Sequence, residues 1–366
     1  MMIKFKGRFI LGIFFSLGLL SLLYLHAQEP AVFRGNLQRT GVFVSPEVKE
    51  PIEIKWKFCA TYEINSSPVV YKKIVYFGSY DGNLYALNKD TGEKIWSFDT
   101  GDWIHSSVAV SKGRVYFGSR DGNFYALDAK TGQVRWRFKV GDWILSSPTV
   151  FNETIYFGDG GALYALDAKN GNLKWRFKTD LAVWSSPAIS KGVVYFGSHD
   201  KNFYAVDANT GQEKWRFKTE DIIETSPAID NGRVYFGNRN GNFYAIETKN
   251  GQQIWMTNIG GEITTSPAIF DGAAYFGSGD GNLYAVDTKS GQIKWKFNTA
   301  ALVRSSPVIV GGVLYFGGYG AIYALDCKTG KLRWGFITEG PIFSSAIVFD
   351  GIIYFGGGDW CLYALE

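Results

Sequence analysis

The sequence is poor in the residues that most often carry metal and redox chemistry. Only three cysteines, Cys59, Cys327 and Cys361, and three histidines occur among its 366 residues. No two cysteines are adjacent and no Cys-x-x-Cys-His motif is present, so nothing marks a site of covalent haem attachment. The Asp-Gly-Gly turn at 159–161 is not an EF-hand, because a strand follows at once without a glutamate at the twelfth position. We expect neither a metal nor a cofactor.

The sequence also lacks an imbalance of charge. The formal net charge is +4, but three of the basic residues, Lys4, Lys6 and Arg8, lie at the N-terminus. Without these three the 38 Lys and Arg residues fall to 35, against 34 Asp and Glu residues. A nearly neutral chain has no broad electrostatic attraction for nucleic acid or for an anionic membrane, so neither is an expected partner.

Those basic residues precede the one long hydrophobic run of the chain. An apolar stretch extends from Phe9 to Leu25, and Ala27 ends it. This is the pattern of a secretory signal peptide over residues 1–27, and it predicts an exported protein, periplasmic or extracellular. An uncleaved N-terminal membrane anchor is the alternative, because about 17 apolar residues lie at the low end for a membrane span.

What the sequence has in abundance is a repeat. A Tyr-Phe-Gly triplet starts at Tyr76, Tyr116, Tyr156, Tyr195, Tyr235, Tyr275, Tyr315 and Tyr354. Each is followed by a triplet of Tyr, Ala and an aliphatic residue, starting at Tyr85, Tyr125, Tyr164, Tyr204, Tyr244, Tyr284, Tyr323 and Tyr363. A tryptophan closes the first seven units, at Trp96, Trp136, Trp175, Trp215, Trp255, Trp295 and Trp334. The eighth tryptophan of this kind, Trp56, stands before the first unit instead.

The repeat period of 39 or 40 residues is that of propeller blades. Short runs of β-branched and aromatic residues, bounded by turn signals such as Asp81-Gly82, predict strands. We interpret each unit as four antiparallel strands, of which A holds Ser-Ser-Pro, B holds Tyr-Phe-Gly, C holds Tyr-Ala and D holds the tryptophan. The fold class is therefore all-β, an eight-bladed β-propeller.

The displaced Trp56 predicts how the ring closes. A strand from Ile54 to Cys59 would complete the last blade, which removes the need for the polar capping repeats of an open solenoid. Residues 54–366 then form the propeller, expected to be monomeric, and residues 28–53 are a lead-in segment.

The closing blade brings two cysteines near each other. Aligned to the first unit, Cys59 and Cys361 take the positions of Asp99 and Asn83, nearly opposite on neighbouring strands. Export permits a disulfide there, but a shift of one residue would put the side chains on opposite faces. The sequence alone therefore does not decide whether the disulfide forms. Cys327 is expected to be free.

The segment 126–136, Ala-Leu-Asp-Ala-Lys-Thr-Gly-Gln-Val-Arg-Trp, resembles the tryptophan-docking motif of the PQQ-like repeat propellers, which include the quinoprotein alcohol dehydrogenases. Segments 165–175 and 285–295 are similar to it. The run Phe-Arg-Gly-Asn at 33–36 also looks like the lead-in of such exported propellers. The resemblance implies the fold, but this fold is used both by dehydrogenases and by non-catalytic scaffolds of the BamB type.

The dehydrogenase branch makes demands that this sequence meets poorly. The resemblance implies PQQ and Ca²⁺ near the ring axis, held by a Glu, an Asn, a catalytic Asp and an Arg, often above a disulfide between adjacent cysteines. The positions just before Ser-Ser should surround the mouth of the axial channel, and they are Asn65, His105, Leu145, Trp184, Glu224, Thr264, Arg304 and Phe343. They include no Asp, and half of them cannot bind Ca²⁺. A PQQ-dependent oxidoreductase therefore remains only the alternative.

Residues that depart from the repeat point to a binding face. The D-to-A and B-to-C connections of a propeller should emerge on the same face. Exposed aromatic residues with arginines mark recognition surfaces. The candidates there are Trp103, Trp143, Trp184, Trp360, His105, His199, Tyr80, Tyr319, Arg120, Arg239 and Arg304. We expect Trp103, Trp143 and Trp184 to form an aromatic arc with the arginines as cationic contacts. The competing interpretation is that these indoles merely fill gaps between loops. The sequence thus predicts an exported, non-enzymatic scaffold that binds protein partners in the cell envelope.

Overall fold

The computed structural model describes residues 31–48, 50 and 52–366, so the predicted signal peptide lies outside the described residues. These residues form eight separate four-stranded antiparallel sheets. The first strands of neighbouring sheets contact one another around a common axis, which confirms the eight-bladed β-propeller. The described part of the chain contains no helix, and hence no helix that is long and apolar enough to cross a membrane.

The strands recur in the predicted order. The innermost A strands are β2 (Val69–Tyr71), β6 (Ala109–Ser111), β10 (Thr149–Phe151), β14 (Ala188–Ser190), β18 (Ala228–Asp230), β22 (Ala268–Phe270), β26 (Val308–Val310) and β30 (Ile347–Phe349). The B strands are β3 (Ile74–Gly78), β7 (Arg114–Gly118), β11 (Thr154–Gly158), β15 (Val193–Gly197), β19 (Arg233–Gly237), β23 (Ala273–Gly277), β27 (Val313–Gly317) and β31 (Ile352–Gly356).

The outer half of each blade consists of the C and D strands. The C strands are β4 (Asn83–Asn88), β8 (Asn123–Asp128), β12 (Ala162–Asp167), β16 (Asn202–Asp207), β20 (Asn242–Glu247), β24 (Asn282–Asp287), β28 (Ala321–Asp326) and β32 (Cys361–Leu365). The D strands are β5 (Lys94–Asp99), β9 (Val134–Lys139), β13 (Leu173–Lys178), β17 (Glu213–Lys218), β21 (Gln253–Asn258), β25 (Ile293–Asn298), β29 (Leu332–Ile337) and, from the N-terminus, β1 (Ile54–Cys59).

One detail of the strand prediction was wrong. Ser-Ser-Pro lies just before the A strands, not within them. A proline has no N–H to donate to a ladder, and the second serine bonds across blades instead. The amide of Ser67 donates to the hydroxyl of Ser107, and the amide of Ser107 donates to that of Ser147. The amide of Ser345 donates to the hydroxyl of Ser67 and so joins the last blade to the first.

The repeated tryptophans hold neighbouring blades together. The indole of Trp96 donates to the carbonyl of Ala129 in the next blade at 3.2 Å. It lies against Gly132, where a Cβ would come within 2.8 Å of the ring. That glycine also has a φ of +71°, so no other residue both permits the turn and leaves room for the indole. Equivalent glycine contacts are made by Trp56, Trp136, Trp175, Trp215, Trp255 and Trp295.

The last blade is completed by the N-terminal strand, as predicted. Its strand order is β1-β32-β31-β30. Trp56 is opposite Ala364, and Cys59 is opposite Cys361, with a disulfide bond between the two cysteines. Cys327 is a free, buried cysteine.

The lead-in segment closes the channel at the end away from the Ser-Ser positions. The carbonyls of Leu37, Gln38, Thr40 and Gly41 accept hydrogen bonds from one A strand each, in four consecutive blades. The last blade has no C-to-D turn, because its D strand comes from the N-terminal part of the chain. Val48 takes the position of that turn, and its amide donates a hydrogen bond to the hydroxyl of Tyr315 in the neighbouring blade at 3.4 Å. The channel is therefore open at one end only.

Candidate functional site

The D-to-A and B-to-C connections emerge on one side of the ring, which we call the mouth face. Backbone hydrogen bonds join the two kinds of connection directly. The amide of Tyr80 donates to the carbonyl of Glu63, and the amide of Arg120 donates to that of Trp103. The A-to-B and C-to-D turns lie on the other side, which we call the floor face. All the candidate residues predicted from the sequence lie on the mouth face.

Glycines at the ends of the B strands fix the backbone beneath the mouth face. A Cβ on Gly78 would approach the side chain of Ile104 to 2.3 Å, and one on Gly118 would approach that of Ile144 to 2.1 Å. Both isoleucines are fully buried. Each isoleucine directly follows an exposed tryptophan in the chain, so this packing holds Trp103 and Trp143 at the surface.

The eight positions before Ser-Ser do line one cavity. It has a volume of about 540 Å³. Its wall is formed by the eight predicted residues together with Glu63, Tyr80, Arg239 and Glu262. Three carboxylates and two guanidinium groups thus share a space with several aromatic rings.

The charges at the mouth largely pair with each other. Glu224 lies 3.3 Å from Nε2 of His199 and 3.6 Å from Nε of Arg239. Arg239 also reaches Glu262 at 3.8 Å. Trp184 contacts His199 edge to face, with ring centroids 4.2 Å apart. These side chains form a connected group across the loops of three neighbouring blades.

His105 faces the same cavity in its neutral form. The side chain is exposed to solvent at the mouth. Neighbouring protein atoms partly desolvate the ring and lower the pKa of His105 below its ordinary value; the positive charge of Arg120 acts in the same direction, and a backbone hydrogen bond with Leu145 opposes both. The residue is therefore uncharged at neutral pH.

The other aromatic residues form a continuous stack beside the mouth. Tyr80 lies parallel to Trp103, with centroids 4.4 Å apart and 6° between the planes. The guanidinium of Arg120 lies 4.4 Å from the centre of Trp103 and 3.9 Å from that of Trp143. An arginine is thus held between two indoles, in a geometry that favours cation–π attraction.

The stack continues into the last blade. Tyr62 is stacked with Trp360 at 5.9 Å and with Trp103 at 6.4 Å. We call the group of Trp360, Tyr62, Tyr80, Trp103 and Trp143, with Arg120 between the last two, the aromatic stack. Its members remain accessible, with exposed fractions of 46% for Tyr62, 38% for Trp103, and 47% for both Trp143 and Trp360.

The structure changes three parts of the predicted arc. Trp184 does not join Trp103 and Trp143, because it turns towards the channel and His199. Arg120 and Arg239 are engaged by their neighbours, as described above, and are not free cationic contacts. Only Arg304, of the three predicted arginines, has no ion pair or ring contact within the described part of the chain.

Sequence reasoning missed Tyr62, Leu181 and Leu302, all of which are exposed on the mouth face. Tyr62 precedes the first full unit, where the repeat draws no attention to it. The available signal was that Tyr62 is aromatic, whereas the equivalent position of the next unit is Asp102. Leu302 belongs to an apolar notch of about 410 Å³ that also contains Tyr319, Arg304 and Phe343. Tyr319 is 71% exposed there.

The mouth does not offer the donor set that a PQQ and Ca²⁺ site requires. Asn65, Glu224 and Arg304 are present, but no aspartate lines the cavity. Glu224 is already paired with Arg239. Within the described residues, no group of three or more His, Cys, Asp or Glu side chains is placed to hold a metal ion. The disulfide lies in the outer half of a blade, away from the axis.

The sequence matches a family model described as "Outer membrane protein assembly factor BamB" over residues 49–104, 80–220 and 199–341. These segments include most of the chain. The chain belongs to this family of PQQ-like repeat propellers. No curated protein gives a significant match to the sequence.

Solved structures of both branches of PQQ-like propellers are similar to this chain. BamB from Moraxella catarrhalis is 18% identical, with a TM-score of 0.76, covering 86% of this chain and 99% of that one. A europium-containing methanol dehydrogenase is 16% identical, with a TM-score of 0.80, covering 94% and 100%. Quinohemoprotein alcohol dehydrogenase from Comamonas testosteroni is 16% identical, with a TM-score of 0.79, covering 96% and 82%. At such identities the likeness concerns the fold alone.

Proposed function

We propose that this protein is an exported, non-enzymatic propeller that binds protein partners in the cell envelope through its mouth face. The observation that carries the proposal is the aromatic stack. Rigid aromatic side chains provide contact area at a small cost in conformational entropy, and they are enriched among the residues that dominate binding energy. The family description, which names an outer membrane protein assembly factor, supports a role in the envelope.

The architecture also supports binding at the surface over chemistry in the channel. The lead-in segment blocks the floor end, and Arg239 pairs with the carboxylate of Glu224 at the mouth. The mouth face is left with two accessible features, the aromatic stack and the apolar notch around Tyr319. They are neighbours on the rim of the cavity, because the turn that carries Trp360 is bonded to Pro341 of the notch, so one extended segment of a partner that follows the rim would contact both.

Site-specific photo-crosslinking tests the proposal. A benzophenone amino acid placed at Tyr319 should crosslink to envelope proteins in living cells, while the same group at Lys130 on the floor face should not. Adding Trp103→Ala and Trp143→Ala should abolish the crosslinks without unfolding the protein. Identical crosslinks from Tyr319 and Lys130, or crosslinks that survive the double substitution, would contradict the proposal.

The alternative function is that of a PQQ-dependent oxidoreductase, which the similarity to the methanol and alcohol dehydrogenases keeps in view. It is tested by adding PQQ and Ca²⁺ to the purified protein and measuring dye-linked oxidation of alcohols and sugars. We expect no activity. Activity that disappears in Glu224→Gln would establish the alternative.

A further inference from the structure

The mouth face is strongly acidic although the chain as a whole is not. Its D-to-A connections span residues 60–68, 100–108, 140–148, 179–187, 219–227, 259–267, 299–307 and 338–346. Their acidic residues are Glu63, Asp102, Asp142, Asp180, Glu220, Asp221, Glu224, Glu262 and Glu339, against a single basic residue, Arg304. The B-to-C turns add Asp81, Asp121, Asp159, Asp200, Asp280 and Asp359.

The basic residues of the B-to-C turns do little to offset this charge for a partner. Arg120 is enclosed between Trp103 and Trp143. Arg239 lies between two glutamates at the mouth. Lys201 donates to the carbonyl of Glu220. Arg304 lies four blades from Trp143, across the ring.

The floor face has the opposite character. Its A-to-B and C-to-D turns carry five acidic residues, Asp90, Glu93, Glu153, Asp271 and Asp350, against the lysines Lys72, Lys73, Lys89, Lys112, Lys130, Lys169, Lys191, Lys249, Lys289, Lys328 and Lys331. The aspartates at the ends of the C strands, beside these turns, are occupied locally; Asp128, for example, accepts hydrogen bonds from the amides of Lys130 and Thr131. The negative potential is thus concentrated on the side that bears the aromatic stack.

Two exposed indoles each have a carboxylate next to them in the same orientation. Asp102 accepts a hydrogen bond from the amide of Trp103 at 2.7 Å, and Asp142 accepts one from the amide of Trp143 at 2.7 Å. In both cases Oδ1 is the acceptor, and the second oxygen, Oδ2, has no hydrogen-bond partner within the described residues. The molecule therefore repeats one arrangement in adjacent blades: an accessible indole beside a carboxylate oxygen with free acceptor capacity.

We propose that the segment recognised by the mouth face is a cationic, extended stretch of a partner protein, whose arginine or lysine side chains lie against the exposed surface of Trp143 and pair with Asp102 and Asp142. The guanidinium of Arg120, 3.9 Å from the centre of Trp143, shows that this indole accepts a cation on its face. Charge complementarity selects a basic segment over an acidic one, because like charges at an interface cost affinity. This inference rests on the mouth face being the binding surface.

Fluorescence anisotropy with two synthetic probes tests the inference. One probe is a labelled dodecapeptide of alternating arginine and serine, and the other has glutamate in place of arginine. We expect the full mature protein to bind the arginine probe at least about tenfold more tightly, with affinity that falls as salt rises from about 50 mM to about 300 mM. Asp102→Asn with Asp142→Asn should weaken this binding by about tenfold. Asparagine retains the acceptor for the backbone amide, so the loops keep their hydrogen bonds.

The matched control removes two carboxylates from the floor face, by Glu93→Gln and Glu153→Gln, and should leave binding unchanged. Equal binding of the two probes, or an unaffected aspartate variant, would overturn the inference. The photo-crosslinking separates this failure from failure of the proposed function. Crosslinks that persist in the aspartate variant but vanish in Trp103→Ala with Trp143→Ala would keep the mouth face as the binding surface and reject a cationic partner.

Discussion

Arg39 donates a hydrogen bond from Nη2 to the hydroxyl of Thr149 at 2.6 Å, across a sequence separation of 110 residues. The same fully buried guanidinium donates to the carbonyls of Phe33, Ser147 and Pro187. All its acceptors are neutral. A segment outside the repeats is therefore anchored in the centre of the ring by one side chain that contacts two blades.

Replacing Arg39 should destabilise the whole propeller. Arg39→Met would leave several buried carbonyl oxygens without a donor, and each unsatisfied group costs about 1–3 kcal/mol. We expect a loss of about 2–4 kcal/mol in the free energy of unfolding, measured by urea denaturation. Arg137→Met, on an exposed strand position, should change it by less than about 0.5 kcal/mol. Equal midpoints for the two variants would show that the lead-in segment is not part of the folded core.

The repeated tryptophans and the exposed ones should respond differently to truncation. Trp96→Ala removes a buried indole between two blades and should cost about 3–5 kcal/mol. Trp143→Ala removes a half-exposed ring whose main contact is Arg120, and should cost about 1 kcal/mol or less. Thermal and urea unfolding of the two variants decide the matter. A large loss for Trp143→Ala would mean that this indole serves packing between loops.

Thiol titration should find no reactive thiol in the native, unreduced protein. Cys59 and Cys361 are bonded, and burial raises the pKa of the Cys327 thiol to about 12. At neutral pH this thiol is protonated and inaccessible, hence unreactive. In denaturant without reductant we expect one thiol per chain. Three would exclude the disulfide. Removing the bond by Cys59→Ser with Cys361→Ser should cost about 2–4 kcal/mol of stability.

The stability of the ring should fall at alkaline pH. Burial raises the pKa of Tyr156, Tyr195 and Tyr315 to about 12, above the unfolded value of 10.0. The folded chain therefore holds these protons where the unfolded chain has released them, so their contribution is complete below pH 10 and is lost as pH rises towards 12. Urea midpoints should be level below about pH 9 and then decline. Tyr156→Phe should make the decline shallower, and an unchanged slope would contradict this assignment.

The fold could be predicted almost completely from the sequence, because each repeated contact is local to a unit or its neighbour. The repeated tryptophan with its glycine determines the blade, and the displaced Trp56 determines how the ring closes. The placement of the candidate residues on one face was predicted, but their contacts were not. The pairing of Arg239 with two glutamates, and the enclosure of Arg120, depend on side-chain geometry between blades that a single sequence does not contain.

The lead-in segment shows the same limit. Arg34 and Arg39 are polar residues outside any repeat, and a hydrophobicity pattern assigns such residues to the surface. Their burial became clear only once the ring supplied the proline carbonyls that accept their hydrogen bonds, such as Pro267 for Arg34. A pair of arginines beside glycines, ahead of the first blade, was the only available signal.

The closing of the last blade by β1 sets an order on biosynthesis. Cys59 and Cys361 are 302 residues apart, so at a synthesis rate of about 5–20 residues per second the first strand waits on the order of 15–60 s for its partner. During that time its edge is open to wrong pairing, and a holding factor that covers it would protect the nascent chain. The cross-link between these cysteines can form only after the last strand has arrived, so it is a chemical record that the ring has been completed.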